Sequence, residues 1–108
     1  MTLGHEFSGV VLESGANCLI KPGTKVAVDP NSDCQSCKFC LSGKYHYCRK
    51  NAAVGVKRDG GFARYCVVPQ KLVHELPSSL GLDQGALAEP MSCILHGLPS
   101  KKGFPGGM

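Results

Sequence analysis

The spacing C-x2-C-x2-C-x7-C formed by Cys34, Cys37, Cys40 and Cys48 constrains this chain more than any other feature. Three thiols at three-residue intervals can wrap a small ion, while the longer arm returns the fourth from the opposite side. Four sulfur ligands complete a tetrahedral zinc shell and leave no position for water, which makes such a site structural. An iron–sulfur cluster and disulfides are the alternatives. A ferredoxin-type run has a shorter step to its fourth cysteine and a Pro after it, whereas Arg49 follows Cys48. A disulfide scaffold suits a secreted chain with an even cysteine count, but here there are seven, four of them clustered. Zinc is the better match. The segment from Asp29 to Cys48 is polar and aperiodic, and a loop of that kind is hard to order without a cross-link or metal. Zinc binding to comparable small sites contributes about 10–16 kcal/mol near neutral pH, so the order of a zinc loop over residues 29–50 is expected to depend on the ion.

With 108 residues the chain has room for one modest core. Apolar residues make up 43% but there is no Trp, so the core is built from Val, Leu, Ile and Ala. Fourteen glycines and seven prolines without a repeat indicate many turns joining short strands, a mainly β fold. No apolar run reaches the roughly 18 residues of a membrane span and the start lacks a secretory pattern, so a soluble, cytoplasmic protein without a membrane partner is expected. The formal charge of +4 falls to roughly +2 once four thiolates hold one zinc ion, too little to argue for nucleic acid. Lys38, Lys44, Arg49 and Lys50 flank the cysteines, where cations offset the negative charge of the site.

Along the chain, FSGVVLE from Phe7 to Glu13 reads as a strand, the turn at Lys21-Pro22-Gly23 follows, and Thr24 to Val28 reads as the next strand. After Gly60-Gly61 the segment Phe62 to Val68 predicts another strand, and Leu72 to Leu76 a short extended piece. Asp83 is suited to cap a short helix through Ala88. Pro90 suits the first turn of a second helix, on which Met91, Ile94, Leu95 and Leu98 share one face and Glu89 marks the junction. Residues 99–108, PSKKGFPGGM, show neither period and are expected to be a disordered tail.

Gly4-His5-Glu6 precedes the first strand, giving G-H-E-x2-G-x5-G through Gly9 and Gly15. Together with the four-cysteine loop, Gly60-Gly61-Phe62-Ala63-x-Tyr65 and Ala88-Glu89-Pro90, this order resembles the zinc-containing medium-chain alcohol dehydrogenases from Thr2 to about Leu98. The Glu-Pro variant is similar to the polyol branch of sorbitol, xylitol, arabinitol and threonine dehydrogenases. The resemblance implies a GroES-like partial β-barrel with a zinc-binding loop and a short C-terminal helical segment. It also implies that His5 is a ligand of a catalytic zinc, that Glu6 is a ligand or the partner of one, and that Glu89 ligates directly or through water from the far side. A catalytic zinc needs about three protein ligands and an open position, and two carboxylates with an imidazole should hold their ion less firmly than four thiolates. The implied substrate is a small-molecule alcohol or polyol, with hydride passing to NAD(P). The resemblance leaves room for a homo-oligomer.

Two departures shape the expectation. The family carries a further cysteine ligand upstream of its G-H-E motif, and it continues past His96-Gly97-Leu98 into a nucleotide-binding domain, whereas no G-x-G-x-x-G occurs here. Residues 1–98 are therefore expected to be a truncated catalytic domain that binds NAD(P) poorly and turns over little alone. The competing reading is a free-standing zinc module for protein or nucleic-acid interaction, which needs a basic stripe with interleaved aromatics. Its traces are Lys38-Phe39 and Lys44-Tyr45-His46-Tyr47. A GroES-like structural subunit would have no reason to keep the G-H-E and Glu-Pro signatures.

Other residues read as ordinary. His74-Glu75 is not the start of a helical H-E-x-x-H, because Ser78 replaces the second His and Pro77 breaks the helix. His46 and His96 read as surface or packing residues, and Ser8 and Ser92 have no evident base. Cys18, Cys66 and Cys93 read as small apolar side chains, although Cys93, four residues after Glu89, falls on the same helical face.

Overall fold

A computed structural model of the chain describes residues 1–98. The expected tail, residues 99–108, lies outside the described residues. Three short strands form one antiparallel sheet in the order β1 (Ser8–Val10), β2 (Lys25–Val28), β3 (Val73–Glu75). Ser8 stands opposite Ala27 and Val10 opposite Lys25, while Val26 faces Glu75 and Val28 faces Val73. β2 is central because its apolar run has no polar face to expose: Val26, Ala27 and Val28 are all buried. Val28, Val54 and Leu72 form the core, with Phe7, Cys66 and Val68 packed against it. Full burial of a side chain such as Val54 contributes about 1.5–3 kcal/mol.

The sheet is smaller than the sequence predicts. The first strand closes after Val10, and beyond it Val11 and Thr24 continue the pairing through single backbone bonds. Phe62 to Val68 is not a regular strand. Its alternation survives, since Cys66 and Val68 pack inward while Tyr65 and Val67 stand exposed, yet no neighbouring strand completes a ladder there among the described residues. The start of the Leu72 to Leu76 piece is a 3-10 turn, Gln70–Leu72, that leads into β3. His74 and Glu75 lie in that strand, as their exclusion from a helical metal motif requires.

The loop from Asp29 to Cys48, read from sequence as irregular, contains a four-residue helix α1 (Lys38–Leu41) and a 3-10 turn, Tyr45–Tyr47. The two helices near the end are α2 (Leu82–Gly85) and α3 (Ala88–Gly97). Gly81, not Asp83, is the N-cap of α2. Its N–H donates to Gln84 Oε1 at 3.0 Å, while Asp83 sits in the first turn. Pro90 lies in the first turn of α3, where its missing N–H costs nothing. Met91, Ile94 and Leu95 are exposed, so the apolar stripe of α3 exists but is not covered among the described residues.

α2 is fixed to the sheet in two ways. Ser8 Oγ donates to the Leu82 carbonyl, and a side chain at Gly85 would strike Leu76 Cδ1 at 2.4 Å. Lys25 Nζ also donates to the Ser78 and Leu80 carbonyls at 2.9 and 2.8 Å, which anchors the turn before α2 to the start of β2. The beginning of α3 therefore has a defined place relative to β1.

Candidate metal centres

Two groups of side chains offer donor atoms that all lie within 4.8 Å of one another: Cys34, Cys37, Cys40 and Cys48, and separately His5, Glu6 and Glu89. These are the two sets singled out in the sequence. Chain reversal in the first begins at Gln35, whose φ of 60° is unusual for a residue with a Cβ. It turns the Cys37 N–H back onto Cys34 Sγ at 3.3 Å. Cys37 then caps α1, its Sγ accepting from the Cys40 N–H at 3.4 Å. Cys48 arrives from the 3-10 turn and is 3% exposed. The Sγ separations are 3.9 Å for Cys34 and Cys40 and 3.4 Å for Cys37 and Cys40. Four sulfurs at the zinc–sulfur bond length of a tetrahedron stand about 3.8 Å apart, so the cluster fits structural zinc.

The local hydrogen bonds prepare the thiols unequally. Backbone and hydroxyl donors of Ser36 and the Cys37 N–H stabilise the Cys34 thiolate and lower its pKa to about 6. The Cys40 N–H likewise lowers Cys37, whereas burial, aided by the neighbouring sulfurs, pushes Cys40 up to about 12. Ser36 was not singled out in the sequence, although a hydroxyl between two candidate ligands is the signal that would have found it. Asn51 was also missed. Its amide donates to the Cys48 carbonyl at 3.0 Å, and its buried Oδ1 has no hydrogen-bond partner among the described residues. Lys71 Nζ, 3.3 Å from Asp33 Oδ1, ties the loop to the turn before β3.

The second group depends on close backbone packing. Gly4 has φ +104°, and its carbonyl passes so near Gly55 and Gly60 that a Cβ on either would lie 2.1 or 2.2 Å from it. Gly61 N–H donates to that carbonyl at 2.9 Å and Phe62 N–H to Leu3 O at 2.9 Å. The segment before β1 is thus pinned, with His5 and Glu6 projecting from it. Glu89, in the first turn of α3, meets them: His5 Nε2 is 3.8 Å from Glu6 Oε1 and 4.0 Å from Glu89 Oε2. Donors on one tetrahedral zinc at nitrogen and oxygen bond lengths stand roughly 3.4 Å apart, so a small contraction brings the three onto one ion. The His5 and Glu6 side chains are 48% and 50% exposed and that of Glu89 14%, which leaves one side of the group open to a small molecule.

Cys93 extends this group. Its Sγ donates to Glu89 Oε1 at 3.5 Å, and that hydrogen bond, with the carboxylate charge, pushes the thiol pKa up. It is exposed, so the expectation of a packed apolar cysteine is corrected at this position, while its placement on the face of Glu89 agrees with the helical spacing. Cys66 does pack on the core. His46 stacks beside Tyr47, 4.2 Å between ring centroids, and belongs to neither donor group. His96 lies exposed in the last turn of α3.

Residues 1–78 match the family model of the alcohol dehydrogenase GroES-like domain. The chain belongs to that family. It is a GroES-like domain of the zinc-containing medium-chain dehydrogenases, and it carries a small three-stranded sheet, a four-cysteine cluster and, beyond the matched residues, a final helix. It is 45% identical over 98 residues to galactitol 1-phosphate 5-dehydrogenase of Escherichia coli K12, covering 89% of this chain and 28% of that protein. The crystal structure of galactitol-1-phosphate dehydrogenase from Escherichia coli superposes with a TM-score of 0.86 at 42% identity, over 91% of this chain and 29% of that one. An alcohol dehydrogenase of Escherichia coli CFT073, complexed with NADH, gives a TM-score of 0.81 at 35% identity, over 91% and 29%. The GroES-like chain therefore spans less than a third of the length of these relatives. No helix among the described residues is long and apolar enough to cross a membrane.

Proposed function

We infer that residues 1–98 supply the metal-holding part of a zinc-dependent alcohol or polyol dehydrogenase. Cys34, Cys37, Cys40 and Cys48 hold a structural zinc, and His5, Glu6 and Glu89 hold a catalytic one. The observation that carries this reading is the meeting of Glu89 with His5 and Glu6 across the fold. A purely structural zinc module has no use for three hard donors gathered at an open surface.

Bound there, zinc would polarise an alcohol hydroxyl so that its proton leaves near neutral pH. The chain's own contribution is placement. His5 and Glu6 come from a segment held by Gly4, Gly55 and Gly60, and Glu89 from a helix fixed to β1 through Ser8 and Leu82. The exposed side of the group admits a small polyol, the substrate class named by galactitol 1-phosphate 5-dehydrogenase. The relatives complexed with NADH and bound to NADP support NAD(P) as the hydride acceptor of the whole enzyme; the described residues contain no dinucleotide-binding turn.

Elemental analysis of protein purified without added metal and passed through gel filtration tests the reading. About two zinc ions per chain are expected when both donor sets are intact, and about one in a Glu89→Ala variant. One zinc in both proteins would refute the catalytic assignment, and iron would refute the structural one.

A further inference from the structure

Glu89 presents its two carboxylate oxygens to different neighbours. Oε2 faces His5 Nε2 at 4.0 Å, while Oε1 accepts the thiol hydrogen bond of Cys93 at 3.5 Å, one helical turn along α3. We propose that Cys93 is a positioning residue for metal binding: its thiol holds Oε1 of Glu89 so that Oε2 is presented to the ion shared with His5 and Glu6. This rests on the catalytic metal reading above.

A glutamate at the start of a helix has three rotatable side-chain bonds, and Glu89 has few groups to restrain it. Ser92 Oγ bonds the Glu89 backbone carbonyl, not its carboxylate. The i, i+4 relation of Glu89 and Cys93 places the thiol one turn above the carboxylate stem. A donor there removes rotational freedom before the ion arrives and leaves one oxygen clear for ligation. Ligating carboxylates are themselves hydrogen-bonded at metal sites, and loss of such a partner lowers metal affinity about 10–100-fold. Cys93 is exposed, so its side chain has little packing to contribute.

The test uses the whole 108-residue chain with its four-cysteine site filled with zinc. Co2+ is titrated into it, and affinity at the second site is read from the visible absorption of the bound ion. Cys93→Ala and Cys93→Val are expected to weaken Co2+ binding about 10–100-fold, whereas Cys93→Ser, which keeps a donor, retains wild-type affinity. Zinc content at the four-cysteine site and circular dichroism report folding for every variant. Equal affinity in wild type and Cys93→Ala would overturn the proposal and leave the metal reading intact. So would a loss in Cys93→Ser as large as in Cys93→Ala. If the wild-type chain binds no Co2+ beyond the four-cysteine site, the metal reading itself fails and this inference falls with it.

Discussion

Glu89 Oε2 lies 4.0 Å from His5 Nε2, joining the first turn of α3 to the segment that precedes β1. Neither element reaches the other through the sheet ladder. The approach depends on α2, held to β1 by the hydrogen bond from Ser8 to Leu82 and by the absence of a side chain at Gly85. Ser8→Ala should therefore act at a distance. Removing one hydrogen bond of this kind costs about 0.5–1.5 kcal/mol, and the looser α2 should weaken metal binding at His5, Glu6 and Glu89 while the four-cysteine zinc stays in place. Comparison of zinc stoichiometry with second-site Co2+ affinity checks this. Equal loss at both sites would point to general unfolding.

Chelation should disorder one part of the chain and spare another. Cys40 and Cys48 are buried within a loop whose regular structure is one four-residue helix and one 3-10 turn, whereas β1, β2 and β3 are joined by backbone ladders that do not involve sulfur. After zinc removal, or in Cys48→Ser, amide exchange protection over residues 38–50 is expected to collapse, while the local turn from Cys34 to Cys37 and the protection of Val26 to Val28 persist. The Asp29 N–H, bonded to Leu72 O at 2.8 Å, marks the boundary. Uniform loss of protection would show instead that the metal's roughly 10–16 kcal/mol supports the whole fold.

Much of the second site was legible because its residues sit in short, distinctive strings: Gly4-His5-Glu6 and Ala88-Glu89-Pro90 resemble family motifs, and the structure brings His5, Glu6 and Glu89 together. The four cysteines were legible from spacing alone. What spacing could not reveal was the support beneath them. A left-handed Gln35, the Ser36 hydroxyl on Cys34 and the approach of Gly55 to Gly4 all depend on the path of the backbone, which composition does not encode. The strand expected over Phe62 to Val68, which the structure does not form, failed for a different reason. Its apolar alternation is real, with Cys66 and Val68 turned inward, but a strand needs a neighbour as well as a pattern, and pairing is a tertiary property.

Proton release on zinc binding should change with pH because of Cys34. Its thiol pKa, lowered from 9.0 to about 6 by donors from Ser36 and Cys37, lies below that of an unfolded cysteine. In the folded zinc-free chain this depressed value stabilises above the unfolded pKa, and that stabilisation is lost as pH falls toward 6. At pH above about 6 Cys34 is already a thiolate and gives up no proton to zinc, whereas below it one more proton must leave. Release per zinc is expected to fall by about one between pH 5 and pH 8, with zinc affinity declining more steeply on the acid side. Calorimetry in buffers of different ionisation enthalpy measures it. Release that stays constant across that range would contradict the assignment.

Gly55→Ala should damage the second metal site more than its distance in sequence suggests. Gly55 has φ +77°, a left-handed conformation that costs a residue with a Cβ about 1–2 kcal/mol. The added carbon would also lie 2.1 Å from the Gly4 carbonyl oxygen and 2.9 Å from the His5 nitrogen, both backbone atoms that cannot rotate away. The segment carrying His5 must then shift, and the Gly61 N–H loses its bond to Gly4 O. Strain and that lost hydrogen bond together predict a destabilisation of about 2–4 kcal/mol, read from urea unfolding of the zinc-loaded chain. Because the displaced atoms adjoin His5 and not the cysteines, Co2+ affinity at the second site should fall while zinc at the four-cysteine site is retained. A stable variant with both sites unchanged would mean that the backbone around Gly4 yields easily, and that His5 is not held in place by this packing.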